Sequence, residues 1–408
     1  MTTATLDSIC VRISSGGTPS RKNADYFTSD PAGHLWVKSK ELLDSSISDT
    51  EEKISEEGFK NSAAKYFPEH TVLVAMYGAN VGQLAWLRQP ATVNQAISGL
   101  VVDDKKADWR FVFYSLLQNR GDLTIQAQGA AQQNLNQDLI RQFSIPFPPL
   151  PVQRRIAGIL SAYDELMENS QRRIRLLEAM ARALYREWFV HFRFPGHEKH
   201  PRVASPLGDI HQGWEVKTLS ELCSRMESGG TPRRNTPEYW EGGTIDWFKT
   251  GELWDGFLFG SEEKITERAS ARVFSPGTIM MAIYGSPTVG RLGITTRPSS
   301  CNQAALGLVA DTTYITQSFL YFVLYSLRDH FNGLAQGAAQ QNISKEKVAT
   351  ALAVVPPRQL VADFARLNDP TFDQIQALQR QIQNLRQTRD LLLPRLLSGQ
   401  VSLGASSQ

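Results

Sequence analysis

Residues Gln128–Asn134 read QGAAQQN, and Gln336–Asn342 read the same seven residues again. The recurrence is in register with others. SGGTP at Ser15–Pro19 returns at Ser228–Pro232, 213 positions on, and the same offset pairs Cys10 with Cys223, Arg21 with Arg234 and Tyr26 with Tyr239. Trp36-Val37-Lys38 returns as Trp247-Phe248-Lys249, and EEKIS at Glu51–Ser55 returns as EEKIT at Glu262–Thr266, both at an offset of 211. TVLVAMYG ends at Gly78 and TIMMAIYG at Gly285. Asn94-Gln95-Ala96 returns as Asn302-Gln303-Ala304, at the 208 offset that also relates the two QGAAQQN runs. Similarity repeated in fixed order marks duplicated structural units. The chain therefore carries two copies of one domain of about 140 residues.

Each copy reads as mixed α and β. The runs ending in Tyr-Gly are apolar, β-prone and closed by glycine, the pattern of buried strands. ISGLVVDD from Ile97 and ALGLVAD from Ala305 predict two more strands. Apolar residues at three- and four-residue spacing predict helices over Trp109–Gln118 and Gln317–Phe331. Proline-rich exits close both copies, at Ile145-Pro146-Phe147-Pro148-Pro149 and Val355-Pro356-Pro357, since proline ends regular pairing.

A long helical pattern follows each exit. Ile156, Leu160, Tyr163, Met167, Ser170, Ile174, Leu177, Ala181, Leu184 and Trp188 alternate steps of four and three, a heptad seam that would extend roughly 50 Å as a helix. Ile375, Leu378, Ile382, Leu385, Arg389, Leu392 and Leu396 repeat the alternation. A lone helix would leave its stripe wet, so each is expected to pack on the other, most simply antiparallel. The expected fold class is α+β: two repeated mixed α/β domains separated by a two-helix antiparallel coiled coil. The boundaries fall at 1–147 for the first domain, 148–205 for the first helical region, 206–355 for the second domain and 356–408 for the second helical region. The expected shape is a dumbbell, suited to a target with two features at fixed distance. DNA offers one, because its grooves repeat every ~34 Å.

Composition narrows the field without deciding it. The 408 residues are 41% hydrophobic and 21% charged, with a formal net charge of +2. No apolar run approaches a membrane span, and MTTATLDSIC has no basic start followed by an apolar stretch, so neither membrane nor signal peptide is expected. Three cysteines lie far apart with no CxxC pair, which fits a reducing cytoplasm. A charge near neutrality does not announce a nucleic-acid partner. His191, His197 and His200 lie around FRFPG and read as a linker leaving the helix, with no metal expected.

IPFPPLPVQRRIAGIL at Ile145–Leu160 and LLLPRLLSGQVSL at Leu391–Leu403 resemble the helix-start and chain-end signatures of type I restriction-modification specificity subunits. LYREWFVHFRFPG at Leu184–Gly196 resembles the end of that family's central helical region, and SGGTP, the Tyr-Gly strand end and NQA resemble its target-recognition domains. The likeness covers nearly the whole chain. It departs at Pro356–Leu360, where the second helix start lacks the fuller form of Pro148–Ile156. The resemblance implies a non-catalytic subunit whose two domains each read half of a bipartite double-stranded DNA site. It implies helices that set the spacer and dock two methyltransferase subunits, through which motor-nuclease subunits join. No cofactor is expected in this chain; S-adenosylmethionine, ATP and magnesium would belong to the partners, where adenine methylation requires base flipping.

Base edges are read by matched side chains, Arg or Lys for guanine and Asn or Gln for adenine, while phosphate contacts position without specifying. Candidates for DNA are the basic pairs Arg21-Lys22 and Arg233-Arg234, together with Lys38, Lys40 and Lys249. Lys38 and Lys249 could equally lie over the Trp36 and Trp247 rings. At the strand ends stand Tyr77, Asn80, Tyr284, Ser286 and Thr288. The amides are Asn94, Gln95, Asn302 and Gln303, with Gln132, Gln133 and Asn134 against Gln340, Gln341 and Asn342; a buried amide network is the plainer role for them. Residues identical in both copies cannot separate two different half-sites. Reading is therefore expected where the copies diverge: Thr28–Leu35 against Glu241–Ile245, Asp44–Thr50 against Asp255–Ser261, and Ala79-Asn80 against Ser286-Pro287-Thr288. The helix–helix and partner interface is expected at Ile156, Leu160, Tyr163, Ile174, Leu177, Leu184, Trp188, Phe189, Ile375, Leu378, Ile382, Leu385, Leu392 and Leu396, with Trp188, Phe189, Phe192 and Phe194 exposed for docking.

Two other readings compete. The E-x-K runs Glu51-Glu52-Lys53 and Glu262-Glu263-Lys264, with Asp49 and Asp255 upstream, could hold magnesium in a nuclease. A two-headed scaffold could grip protein instead of DNA. A self-contained methyltransferase is disfavoured by the lack of a GxG cofactor turn and of an Asn-Pro-Pro run.

Overall fold

The computed structural model describes residues 2–128, 134–269, 271–285, 288–336 and 342–401. They form two compact units, one of the residues up to Met167 with those from Asn384 on, the other of Glu168–Gln383.

Within the first unit a five-stranded sheet runs in the order Cys10–Ser15, Ile97–Val102, Val72–Ala75, Leu84–Leu87, Ser45–Ile47, antiparallel except for the last pair. Within the second, Cys223–Ser228, Ala305–Ala310, Ile279–Ala282, Leu292–Thr295 and Gly256–Leu258 repeat that order, with the same parallel edge. A register shift recurs at corresponding places, Val101/Val102 and Cys223/Arg225. A second sheet brings His34–Val37 parallel to Ala91–Val93 in one unit and Ile245–Phe248 parallel to Ser299–Cys301 in the other. The duplication seen in the sequence is thus a duplication of topology.

The strands called from TVLVAMYG and TIMMAIYG lie at Val72–Ala75 and Ile279–Ala282 and are wholly buried. They do not alternate in polarity because each serves two cores. Val72 and Val74 enter one cluster while Leu73 and Ala75 enter another; Ile279 and Met281 separate from Met280 and Ala282 in the same way. Successive side chains point to opposite faces of a sheet, so a strand covered on both faces must be apolar throughout. The helix expected at Trp109–Gln118 is present, capped by the Asp108 carboxylate on the amides of Arg110 and Phe111. The helix expected over Gln317–Phe331 divides into Gln317–Ser326 and Arg328–Gln336. Each domain closes where its two ends pair, Thr3–Thr5 with Ser144–Pro146 and Glu215–Thr218 with Leu352–Val355.

The long helices follow at Leu150–Tyr185 and Arg358–Leu397. In the first, Ile156, Leu160, Met167, Ser170, Ile174, Ala181 and Trp188 are buried, and Tyr163, Leu177 and Leu184 half-buried. In the second, Ile375, Leu378 and Leu396 are buried, and Ile382, Leu385, Arg389 and Leu392 half-buried. This helix begins well before Ile375 and runs through Pro370, adding Val361, Phe364 and Asn368 to its buried side. Within the first unit, Ile156 and Leu160 share a core with Leu393 and Leu396, while Asp164 meets Arg389 at 2.6 Å. Within the second, Tyr185 and Trp188 pack on Phe364, and Ile174 shares a core with Ile375 and Leu378. In each unit the helix segments therefore run antiparallel.

One expectation is overturned. Trp188, Phe189 and Phe194 are 8%, 6% and 5% exposed and Phe192 is half-buried, so they form core and not a docking face. The first long helix ends in a π turn at Arg186–Val190, where the His191 amide reaches back to the Arg186 carbonyl. Phe192 then takes a left-handed backbone, φ 60°. The chain folds back, and Phe189 lands against Phe319 at 5.0 Å and Phe364 at 5.1 Å, with Phe194 against Trp214. His211 is buried in the same segment, its ring nitrogens on the carbonyls of His200 and Phe192. Among the described residues no helix is long and apolar enough to cross a membrane.

Candidate nucleic-acid interface

The repeated motifs, far apart in sequence, are joined by hydrogen bonds within each domain. In the first, the Gly17 amide donates to the Val93 carbonyl (3.0 Å) and the Trp36 indole to the Gly17 carbonyl (3.0 Å). The Asn94 amide donates to the Val37 carbonyl (2.9 Å), and the Thr18 hydroxyl to Oε1 of Gln95. The Met76 amide donates to the Ala96 carbonyl (2.8 Å), and Leu135 to Met76 (2.9 Å). SGGTP, WVK, NQA, the Tyr-Gly strand end and the exit from QGAAQQN thus form one continuous strip.

The second domain repeats the strip bond for bond. Gly230 donates to Cys301 (2.9 Å), the Trp247 indole to Gly230 (2.9 Å), Asn302 to Phe248 (3.0 Å) and Thr231 to Gln303 (2.5 Å). Ile283 donates to Ala304 (2.8 Å), Ile343 to Ile283 (2.9 Å), and the Gly285 amide to Oδ1 of Asn342 (3.1 Å). The first glycine of each SGGTP is a packing necessity. A Cβ at Gly16 would lie 1.8 Å from the Val93 carbonyl oxygen, and one at Gly229 2.0 Å from that of Cys301.

The predicted site residues divide once placed. Asn94 and Asn302 use Oδ1 to accept the amides of Ala96 and Ala304, both at 3.1 Å, turns local to the motif. Gln95 and Gln303 accept from threonine, as above, so these amides build the strip; their NH2 groups make no hydrogen bond among the described residues. Tyr77 and Tyr284 are 40% and 39% exposed on it, Asn80 lies half-buried beside Tyr77, and Asn134 is half-buried next to Leu135. Thr288 closes its loop by donating to the carbonyls of Tyr284 and Gly285. Gln132, Gln133, Ser286, Gln340 and Gln341 lie outside the described residues.

Most of the predicted cations already hold a carboxylate. Lys38 reaches Glu51 and Glu52 at 2.8 Å each, Lys40 reaches Glu51 at 2.6 Å and Arg21 reaches Glu52 at 2.7 Å. Arg21 also lies over the rings of Phe27 (4.3 Å) and Trp36 (5.1 Å). Lys249 pairs with Glu262, and Arg234 pairs with Glu263, both at 2.8 Å; Arg234 covers Trp240 (4.1 Å) and Trp247 (5.0 Å). Hydrogen bonds from Lys38 and Lys40 hold the Glu51 carboxyl down to about 2, and those from Lys38 and Arg21 lower Glu52. Lys22 and Arg233 are exposed and make no ion pair among the described residues. The E-x-K carboxylates are paired with these cations, Asp49 with Lys53 (3.4 Å) and Asp255 with Arg328, and among the described residues no group of three or more His, Cys, Asp or Glu could hold a metal ion.

The divergent span Asp44–Thr50 and its counterpart Asp255–Ser261 are also not free loops. Their centres, Ser45–Ile47 and Gly256–Leu258, are sheet-edge strands. Phe257 and Phe259 are 8% exposed, and the Phe257 amide donates to Oε1 of Gln379 on the second long helix (3.1 Å). In the first copy Ser45, Ser48 and Asp49 are exposed, whereas the second copy is packed at Phe257 and Phe259. Asn80 and Thr288, the described ends of the third divergent pair, follow Tyr77 and Tyr284 of the strip. In the span Thr28–Leu35, His34 is held between the Tyr66 hydroxyl and Glu56, an arrangement sequence reasoning missed. It also missed two recurring ion pairs, Asp44 with Arg120 and Asp255 with Arg328, though their positions share the repeat's own offsets.

Comparison with known proteins gives concordant matches. A family model described as the type I restriction modification DNA specificity domain matches residues 3–179 and 211–359. The specificity subunit of the type I restriction enzyme MjaIX from Methanocaldococcus jannaschii is 25% identical over 401 residues, covering 95% of this chain and 91% of that one. The HindI specificity subunit from Haemophilus influenzae is 22% identical over 328 residues, 65% of this chain and 70% of the relative. Among solved structures, the S subunit of a type I restriction-modification system from M. genitalium shares the fold, with a TM-score of 0.62 at 17% identity over 97% of this chain and 95% of that one.

Proposed function

The chain belongs to the type I restriction modification DNA specificity family, and on that premise we propose that each domain reads one half of a bipartite, asymmetric DNA site. The observation that carries this reading is the convergence of the repeated motifs into one strip per domain, with an exposed tyrosine and amide side chains on it. Residues common to both strips grip features that all DNA shares. Discrimination falls to what differs, the loop of Ala79 and Asn80 against that of Thr288, together with the unpaired Lys22 and Arg233.

The long helices then serve as spacer and as docking surface for two methyltransferase subunits, through which motor-nuclease subunits join the complex. Their exposed apolar residues, among them Leu166, Leu176, Met180 and Leu367, support such docking. The chain itself catalyses nothing, and S-adenosylmethionine, ATP and magnesium act in the partners.

The test is duplex binding by the chain co-purified with a methyltransferase subunit, measured against salt. Six or more phosphate contacts predict a fall in affinity of roughly a thousandfold between 50 and 200 mM salt. A flat salt response would instead favour a protein-binding scaffold, whose apolar interface is insensitive to ionic strength.

A further inference from the structure

One ion pair beside the strip recurs in both domains. We propose that Asp44 with Arg120, and Asp255 with Arg328, are positioning residues that hold the Tyr-Gly loop and the helix leading into QGAAQQN in one fixed relation. This rests on the reading of the strip as the DNA interface.

The loop is the tip of a hairpin between Val72–Ala75 and Leu84–Leu87, or between Ile279–Ala282 and Leu292–Thr295. Its closing residue is Gly82 or Gly290, both at φ +79°, with amides bound to the Ala75 and Ala282 carbonyls at 2.9 Å. Arg120 and Arg328 open the helices Arg120–Gln128 and Arg328–Gln336. Each arginine lies against the closing glycine: a Cβ there would come within 3.4 Å of Arg120 Cγ or 3.0 Å of Arg328 Cγ. Arg328 Nε also donates to the Gly290 carbonyl (2.9 Å), and Arg120 reaches the Gln83 side chain (3.3 Å). One guanidinium therefore touches both segments that border the strip.

The aspartates fix that guanidinium. Asp44 and Asp255 have left-handed backbones, φ 58° and 65°, a sparsely populated region for a residue with a side chain. In this turn each carboxylate accepts the amide that opens the next strand, Leu84 at 3.3 Å or Leu292 at 2.9 Å, while also binding the arginine. Arg328 grips Asp255 with both terminal nitrogens, the fork geometry that confers direction as well as attraction. The loops differ in sequence between the domains, while each is tied at its foot to an aspartate–arginine pair, as expected if different bases are read from a similar mount. Discrimination needs the reading groups held to about 0.5 Å.

The experiment uses the full complex with methyltransferase subunits and a duplex panel in which each half-site base pair is changed in turn. Arg120→Lys keeps the charge but loses the guanidinium plane that reaches Asp44 and the Gln83 side chain together. It is expected to weaken discrimination about tenfold at one half-site only, Arg328→Lys at the other, with non-specific affinity and its salt slope unchanged. Discrimination that stays intact in a folded variant, or that loosens at both half-sites in each, overturns the proposal. Should the lysine variants fold poorly, Asp44→Asn and Asp255→Asn keep the cap on the strand amide and make the same prediction. A wild-type complex that distinguishes neither half-site overturns the DNA reading, and the clamp with it; a discriminating wild type with unaltered variants overturns the clamp alone.

Discussion

At Gly16 and Gly229 a single hydrogen in place of a methyl lets the SGGTP turn press onto the neighbouring strand. Gly16→Ala is expected to destabilise the first unit by about 1–3 kcal/mol through overpacking, while Gly230→Ala, which meets nothing within 4 Å, should change little; thermal melts of the two variants compare them. Such residues are legible in sequence because both copies preserve them. Ion pairing is not, since Glu51, Glu52, Glu262 and Glu263 find their cations only through the second sheet. Read in line they suggest a metal site, and folded they neutralise Arg21, Lys38, Lys40, Arg234 and Lys249. Glu51, held down to about 2, titrates below its unfolded value. Its stabilising effect is complete above the ordinary carboxylate range and lost as pH falls toward 2. Glu51→Gln should flatten that acid limb of the stability profile; an unchanged limb would mean the pairs do not hold in solution.

At the scale of elements, heptad spacing reveals the long helices where the seam is apolar and uninterrupted. The second helical region is expected from residue 356, but the seam read from Ile375 leaves out Val361 and Phe364; Pro370 normally ends or kinks a helix, yet here the helix continues through it with both side chains buried. The exposed aromatic cluster was misjudged for the opposite reason: a seam shows which face is apolar, and the π turn that folds Phe189 onto the second domain leaves no periodic signal. Arg389 occupies a seam position and is polar because it bonds Asp164 (2.6 Å), which also accepts the Tyr114 hydroxyl. Arg389→Ala strips a partly buried carboxylate of its partner and should cost roughly 2 kcal/mol in chemical denaturation. Arg389→Ala in an Asp164→Asn background should cost distinctly less, and equal losses in the two backgrounds would show that the pair is not coupled.

For the molecule as a whole, the repeat is plain in the sequence and implies that both units share one topology, while the strand order itself comes from the fold. The site was legible only in part: the motifs were visible, but their meeting in one strip depends on hydrogen bonds between residues as many as 77 apart. The near-neutral charge of +2 hides this too, because cations and carboxylates cancel inside each domain. Under the proposed function, two related modules read two different DNA sequences. Sequencing of modified bases in DNA from cells expressing this chain with its methyltransferase partner tests it most directly. Two specified blocks separated by unspecified bases are expected, with Asn80→Ala altering one block and Thr288→Ala the other. A single uninterrupted motif, or one in which either substitution changes both blocks, would contradict it.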